Sequence, residues 1–226
     1  CNIDLIKKIS KKNKIPIIED CSQASGAKFK NKKVGSFGEF GCFSFFPTKN
    51  LSCIGDGGAI TFNNKKYLRK LIAFREYGWD ESRNLVHIGI NSRLDEIHAG
   101  FLNIKLKHLN LDNNLRRKIA NEYNTKIKNE KITLPKVYKD TYHVYHLYVI
   151  KVFEREKFIK LLKKNNIICG IHYPLPVHLQ KYFSQNNKKL KLRNTEKLYK
   201  EIVSIPIYPE LSNKDVYKII KVINSF

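Results

Sequence analysis

The chain has 226 residues, 42% of them hydrophobic and 12% aromatic, enough for one large domain or two modest ones and too apolar for a disordered segment. A net charge of +23 invites a nucleic-acid reading, but lysine far outnumbers arginine and the Lys-Asn-Ile enrichment runs through the whole sequence. With neither an arginine-fork reader nor a nucleic-acid module visible, no nucleic acid is expected as a partner; nor is a membrane, since no apolar run spans a bilayer and no signal-peptide pattern is present.

In chain order, Ile3 to Lys12 reads as a short helix with Ile3, Ile6 and Ile9 on one face. Ile15 to Asp20 follows as a buried, parallel-type strand ending in two acids, and helix followed by strand is half of a βα repeat. Functional groups of parallel sheets collect at the carboxyl ends of strands, where Asp20 stands with Gln23 three residues on. Asp20 reads equally as a turn or cap residue. Asn31-Lys32-Lys33 suggests a hairpin turn.

Ser36 to Phe62 is the stretch around which the rest is organised. Gly41-Cys42-Phe43-Ser44-Phe45-Phe46 reads as a buried strand that delivers the Ser44 hydroxyl and then, past Pro47, the Lys49 amine. Gly55 to Gly58 suits close backbone approach and positive φ, and Ala59 to Phe62 resumes as a strand. Desolvation between apolar strands would favour the free, nucleophilic amine at Lys49. On Lys49 alone, a plain loop lysine between two core strands is the preferred reading.

Asn64 to Glu76 is expected to be helical and Tyr77 to Ser82 a loop. Ser92 with Asp95 resembles a capping box for a helix from Arg93 to Lys107, and a second long helix is expected from Leu111 to Asn129, with Leu109-Asn110 between. Asn91, just before that cap, also reads as simply part of the turn. A new unit starts near Tyr142, with strand Tyr145–Phe153, helix Glu154–Lys164, strand Ile167–Ile171, the rigid loop His172–Pro176, helix Lys191–Glu201, strand Val203–Ile207 and helix Lys214–Ile223. The domain reading is residues 1–108 as a large domain and 109–226 as a connecting helix with a small domain. The five cysteines form no Cys-x-x-Cys and have no histidine at zinc spacing, which points to free thiols, no metal and a cytoplasmic setting. The absence of methionine and the opening at Cys1 suggest a piece of a longer protein.

Ile-Pro-Ile-Ile-Glu-Asp-Cys-Ser-Gln-Ala-Ser-Gly-Ala, Cys-Phe-Ser-Phe-Phe-Pro-Thr-Lys-Asn-Leu, Gly-Asp-Gly-Gly-Ala and Asn-Ser-Arg-Leu-Asp-Glu occur in one order and spacing. Together they resemble the DegT/DnrJ/StrS family of sugar aminotransferases, from about Ile3 to the last helix. The resemblance implies an α/β chain, the C-terminal part of a fold type I, aspartate aminotransferase-like enzyme. That part would comprise an incomplete, mostly parallel-sheet large domain and a smaller α+β domain, with pyridoxal 5'-phosphate as cofactor.

By the same resemblance, Lys49 bonds the cofactor aldehyde and later shuttles a proton, and Asp20 pairs with the ring nitrogen. Gln23 bonds the phenolic oxygen and Ser44 the phosphate, while Asn91 reaches the phosphate of a neighbouring subunit, which implies a homodimer. The family pattern places the phosphate-holding helix start and the ring-stacking aromatic before Cys1. The implied substrate is a nucleotide-linked keto-deoxysugar, best matched by 3-keto sugars on thymidine or uridine diphosphate, with glutamate as amino donor, for amino-sugar and surface-polysaccharide biosynthesis. His172 and Tyr173 are candidate substrate contacts, though the two prolines beside them suit a structural loop nearly as well; Tyr77 lines the same cleft on weaker grounds. Rival readings are a sugar dehydratase, which Lys49 argues against because such relatives typically replace it with histidine, an inactive remnant, and a basic regulatory module.

Overall fold

The structure, a computed structural model, describes residues 1–186 and 190–226. They form two units, one of Cys1–Asn113 with Tyr138–Val144 and one of Asn114–Val137 with Tyr145–Phe226.

In the first unit, helix α1 (Ile3–Asn13) starts where the Asn2 side chain accepts the Leu5 N–H at 3.1 Å and stops at Lys14, whose φ is 53°. None of its residues is buried, so the Ile3-Ile6-Ile9 face is open rather than packed. Strand β1 is shorter than expected, Ile18–Asp20, and Ile18 is 65% exposed, which corrects the reading of a buried strand. Strands β2 (Lys28–Phe29) and β3 (Lys32–Lys33) form a hairpin whose two turn residues, Lys30 and Asn31, both have positive φ, the geometry that matches strand twist.

Strand β4 (Phe40–Ser44) pairs parallel with β1, placing Asp20 opposite Cys42. Strand β5 (Gly58–Phe62) pairs antiparallel with β4, placing Ser44 opposite Gly58. Alternation then divides the sheet: Ile18, Asp20, Cys42, Ser44 and Ile60 share one face, and Glu19, Gly41, Phe43 and Thr61 share the other. The second face is covered by the chain before β4. Glu19 accepts the N–H groups of Gly35 (2.8 Å), Phe37 (2.6 Å) and Gly38 (2.8 Å), and the Thr61 hydroxyl donates to the Gly35 carbonyl at 2.5 Å. Gly41 is required there, because a Cβ would lie 2.3 Å from the Gly35 Cα. On the other face Phe40 packs on Tyr67, with ring centres 4.8 Å apart, while Ile18 is left exposed.

Helix α2 (Leu68–Arg75) follows a 3-10 turn at Lys65–Tyr67 as expected. The next region differs. One helix, α3 (Glu96–Lys126), replaces the two expected helices: Leu109-Asn110 contains no glycine or proline, and Leu109 packs with Leu51, Cys53 and Leu102. It also starts later than Arg93. The Ser92 N–H is taken by the Arg75 carbonyl at 3.0 Å and so is not left for the Asp95 side chain, and the Asp95 carbonyl accepts the first helical bond, from Ala99 at 3.0 Å.

The second unit is built on an antiparallel sheet of β6 (Ile132–Thr133), β8 (Tyr148–Val152) and β9 (Ile202–Ile205); β7 (Thr141–Tyr142) belongs to the first unit and pairs with β2. Strand β8 is shorter than the expected Tyr145–Phe153 because Tyr145 has φ 44°. Strand β9 ends two residues earlier than expected, just before Pro206. Helices α4 (Arg155–Lys164) and α7 (Asn213–Asn224) match their expected spans closely, α6 (Arg193–Glu201) begins two residues late, and α5 (Lys181–Asn186) was not foreseen. No strand forms at Ile167–Ile171. Ile167 instead donates to the Leu162 carbonyl at the end of α4, and only Gly170 makes a bridge, to Ser204.

Tyr123, Tyr148, Ile150, Phe158, Leu162 and Ile223 are fully buried in this unit's core. Arg116 is also buried, its guanidinium donating to the carbonyls of Ile207 (2.7 Å), Tyr145 (3.4 Å) and His146 (3.5 Å). Phe158→Ala should leave a cavity there and destabilise the unit by about 3–5 kcal/mol, read as a lower denaturation midpoint in urea.

Candidate active site

The carboxyl ends of β1 and β4 bring Asp20 and Ser44 to one end and one face of the sheet. Asp20 Oδ1 accepts the Ser22 hydroxyl at 2.6 Å and the Ser22 N–H at 3.0 Å. These two bonds, with a smaller contribution from the nearby Lys49 charge, hold the carboxyl below its ordinary 3.8 despite slight desolvation. Gln23 sits exposed in the turn that follows, closed by the Ala24 N–H on the Cys21 carbonyl at 2.9 Å. Cys21, beneath that turn, is 2% exposed, and burial pushes its thiol up to about 12.

Ser44 is the last residue of β4, and its oxygen accepts the Phe46 N–H at 3.4 Å. Lys49 is half-buried in the next turn, where its N–H reaches the Phe46 carbonyl at 2.9 Å. The glycines after it serve space, not positive φ. A Cβ on Gly57 would lie 2.6 Å from the Cys53 sulfur, and one on Gly58 would lie 2.7 Å from the Phe43 carbonyl oxygen.

A residue that sequence reasoning missed ties these loops together. Asn113, 1% exposed on α3, accepts the Asn50 amide at 2.8 Å and donates to the Ser25 carbonyl at 3.0 Å. Asn50 also donates to the Val144 carbonyl at 3.0 Å. The turn carrying Lys49 and the loop carrying Asp20 and Gln23 are therefore fixed to the same helix. Gly26 leaves room for this, since a Cβ there would lie 2.6 Å from the Asn113 amide nitrogen. The one local signal was an asparagine in a helix interior, where it is a weak helix former.

Tyr77 and Asn91 form a separate cluster around Arg93. Arg93 Nε donates to Asn91 Oδ1 at 3.1 Å, its guanidinium lies 5.7 Å from the Tyr77 ring centre, and Glu76 is 4.0 Å away. His172 and Tyr173 belong to the second unit. His172 Nδ1 lies 2.8 Å from the Ser204 hydroxyl, while Tyr173 is 67% exposed.

A sequence profile of the DegT/DnrJ/EryC1/StrS aminotransferase family matches residues 1–224. The chain belongs to this family. Among its relatives, a dTDP-3-amino-3,6-dideoxy-alpha-D-galactopyranose transaminase from Aneurinibacillus thermoaerophilus is 43% identical over 226 residues, covering 100% of this chain and 62% of the relative. A pleiotropic regulatory protein from Geobacillus stearothermophilus is 36% identical over 229 residues, with coverages of 100% and 62%. The crystal structure of a DegT/DnrJ/EryC1/StrS aminotransferase from Brucella abortus superposes with a TM-score of 0.93 at 34% identity, covering 100% of this chain and 61% of that one. The fold is thus that of the aminotransferase family, and the chain spans about 62% of the length of the relatives it matches. Enzymes of this DegT/DnrJ/EryC1/StrS family depend on pyridoxal phosphate.

Two substitutions test the local physics. Asn113→Leu should remove the bonds to the Asn50 amide and the Ser25 carbonyl, leaving Asn50 its bond to Val144, and lower the unfolding free energy by about 1–3 kcal/mol, read from urea denaturation. Ser22→Ala should raise the Asp20 midpoint toward 3.8 in a 13C carboxyl NMR titration. Because the folded value is the depressed one, Asp20 adds stability that is present above the unfolded value and lost as pH falls through the folded value. The stability gap between wild type and Ser22→Ala should therefore close in strong acid.

Proposed function

We propose that this chain carries the lysine and much of the cofactor-binding surface of a pyridoxal phosphate-dependent aminotransferase. Its substrate would be a nucleoside diphosphate-linked 3-keto-deoxysugar, with glutamate as amino donor. The observation that carries the reading is the register of β1 against β4, which brings the Asp20 carboxylate and the Ser44 hydroxyl to one end and one face of the sheet, with Lys49 in the turn that follows. An anion held below its ordinary pKa suits a protonated ring nitrogen, and an amine beside it suits an aldehyde.

Pyridoxal phosphate, when bound, supplies the aldehyde that carries the amino group and the ring that withdraws electrons. Lys49 Nζ would hold that aldehyde and, once displaced by an incoming amine, would be the base moving the proton at the carbon being aminated. Asp20 would accept the ring N–H, Gln23 would donate an amide hydrogen to the phenolic oxygen, and Ser44 would donate to the phosphate. Asn91 would reach the phosphate of a second copy, making the active species a homodimer; Arg93 holds its oxygen, which leaves the amide hydrogens to donate. His172, Tyr173 and Tyr77 are proposed sugar-nucleotide contacts. The domain reading, residues 1–108 and 109–226, belongs to this proposal. A cytoplasmic setting suits the five free thiols; among the described residues no helix is long and apolar enough to cross a membrane.

The substrate class draws on the 43%-identical relative, which is named for a dTDP-linked 3-amino sugar. The test is to incubate the chain with pyridoxal phosphate, reduce with borohydride and map the modified peptide. Stoichiometric labelling of Lys49, abolished in Lys49→Ala, is the expected result. Labelling scattered over surface lysines would overturn the assignment for this chain.

A further inference from the structure

The loop after α2 extends the Tyr77 contact proposed above with three residues, Trp79, Arg83 and Arg93, to which no part in substrate binding has been given. Tyr77 and the chain's single tryptophan, Trp79, have ring centres 4.7 Å apart with planes inclined at 41°, and about a third of each is exposed. Each ring has an arginine over it: Arg93 at 5.7 Å from Tyr77 and Arg83 at 5.9 Å from Trp79. Arg83 makes no ion pair among the described residues, and Arg93 reaches Glu76 only at 4.0 Å. Two partly exposed aromatic rings, each with a guanidinium over it, offer stacking to a flat heterocycle and bidentate donors to phosphate.

The platform is built before any ligand arrives. Gly78 has φ 88° and donates to the Ala73 carbonyl at 2.7 Å, while its own carbonyl accepts the N–H groups of Val86 (3.0 Å) and His87 (3.1 Å). Asp80 closes the tip by accepting the Asn84 N–H at 2.8 Å, the Asn84 side-chain amide at 3.2 Å and the Ser82 N–H at 2.9 Å, which hold its carboxyl below the ordinary value. Trp79 and Leu85 then face each other across the narrow ribbon. Tyr77 and Arg83 both hold positive φ, a cost that the surrounding hydrogen bonds sustain. Preorganisation of this kind lowers the ordering cost of binding.

We propose that Trp79, Tyr77, Arg83 and Arg93 form the recognition platform for the nucleoside diphosphate portion of the substrate, with the base against the aromatic pair and the diphosphate on the guanidinium groups. This rests on the nucleotide-sugar reading above for the choice of ligand. The platform supplies affinity and nucleotide choice, while Lys49 and Asp20 supply the chemistry, so the two are separable by experiment.

The single tryptophan gives the readout. Thymidine diphosphate titrated into the full chain should change Trp79 fluorescence saturably, and Arg83→Gln, with an unchanged far-UV circular dichroism spectrum, should weaken binding about tenfold, the loss of a charge-assisted phosphate contact. Arg93→Gln should do the same, and calorimetry should show weakened binding in Trp79→Ala. Lys49→Ala should bind the nucleotide as wild type does. An unchanged affinity in Arg83→Gln, no saturable fluorescence change, or equal affinity for inorganic pyrophosphate at matched ionic strength would each overturn the platform. If borohydride still traps pyridoxal phosphate on Lys49 in that case, the aminotransferase reading stands and only the platform falls.

Discussion

The arrangement of the first unit depends on one buried amide. Asn113 spends both ends of its side chain on loops far away in sequence, 63 residues from Asn50 and 88 from Ser25. Neither loop has strand or helix of its own to fix it, and both carry residues proposed to hold the cofactor. An amide in such a position is unforgiving: Asn113 is 1% exposed, so either end left without its bond is away from water, at a cost that is a sizeable fraction of a domain's total stability. The same interaction therefore sets geometry and couples it to folding.

Hydrogen-bonded anchors do similar work elsewhere in this unit. The Glu19 carboxylate gathers three backbone N–H groups, and Asp80 gathers two. The second unit relies on a different economy, with a continuous cluster of Tyr123, Tyr148, Phe158, Leu162 and Ile223. The apolar cluster of the first unit is small by comparison, centred on Leu51, Cys53, Leu102 and Leu109. Local opening should accordingly be easier around the polar anchors than in the second unit's sheet.

What was legible in the sequence follows from the range of the forces involved. The existence of β4, of a hairpin near Asn31 and of the closing helix α7 is set by neighbouring residues, and their patterns reported them, although β4 ends at Ser44 rather than Phe46 and the turn falls on Lys30-Asn31 rather than Asn31-Lys32-Lys33. The single helix α3 was not legible because a weak helix former such as Asn110 is a small local penalty, easily overridden by the packing of Leu109. The Ser92-Asp95 pattern misled for a related reason: a tertiary bond to Arg75 claims the Ser92 N–H. Strands of two residues, such as β6 and β7, carry no periodicity to detect. In the candidate site, the strand end at Asp20 could be read locally, while the roles proposed for Gln23, Ser44, Lys49 and Asn91 came only with the family resemblance; Asn113 could not be read, because its partners are remote and its own residue type argues only weakly against a helix.

Glu19 and Asp20 are adjacent, and strand alternation sends them to opposite faces of the sheet. A slip of β1 by one position against β4 would exchange them, aiming the longer carboxylate at the proposed cofactor side and burying Asp20 against Gly35. A three-residue strand has little hydrophobic patterning with which to resist such a slip, and Ile18 contributes little while it faces water. The three N–H groups on Glu19 supply the missing discrimination, since the shorter aspartate side chain would fall short of them. One acid of the pair thus acts as a gauge of alignment for the other, and proofreads which carboxylate is presented for chemistry.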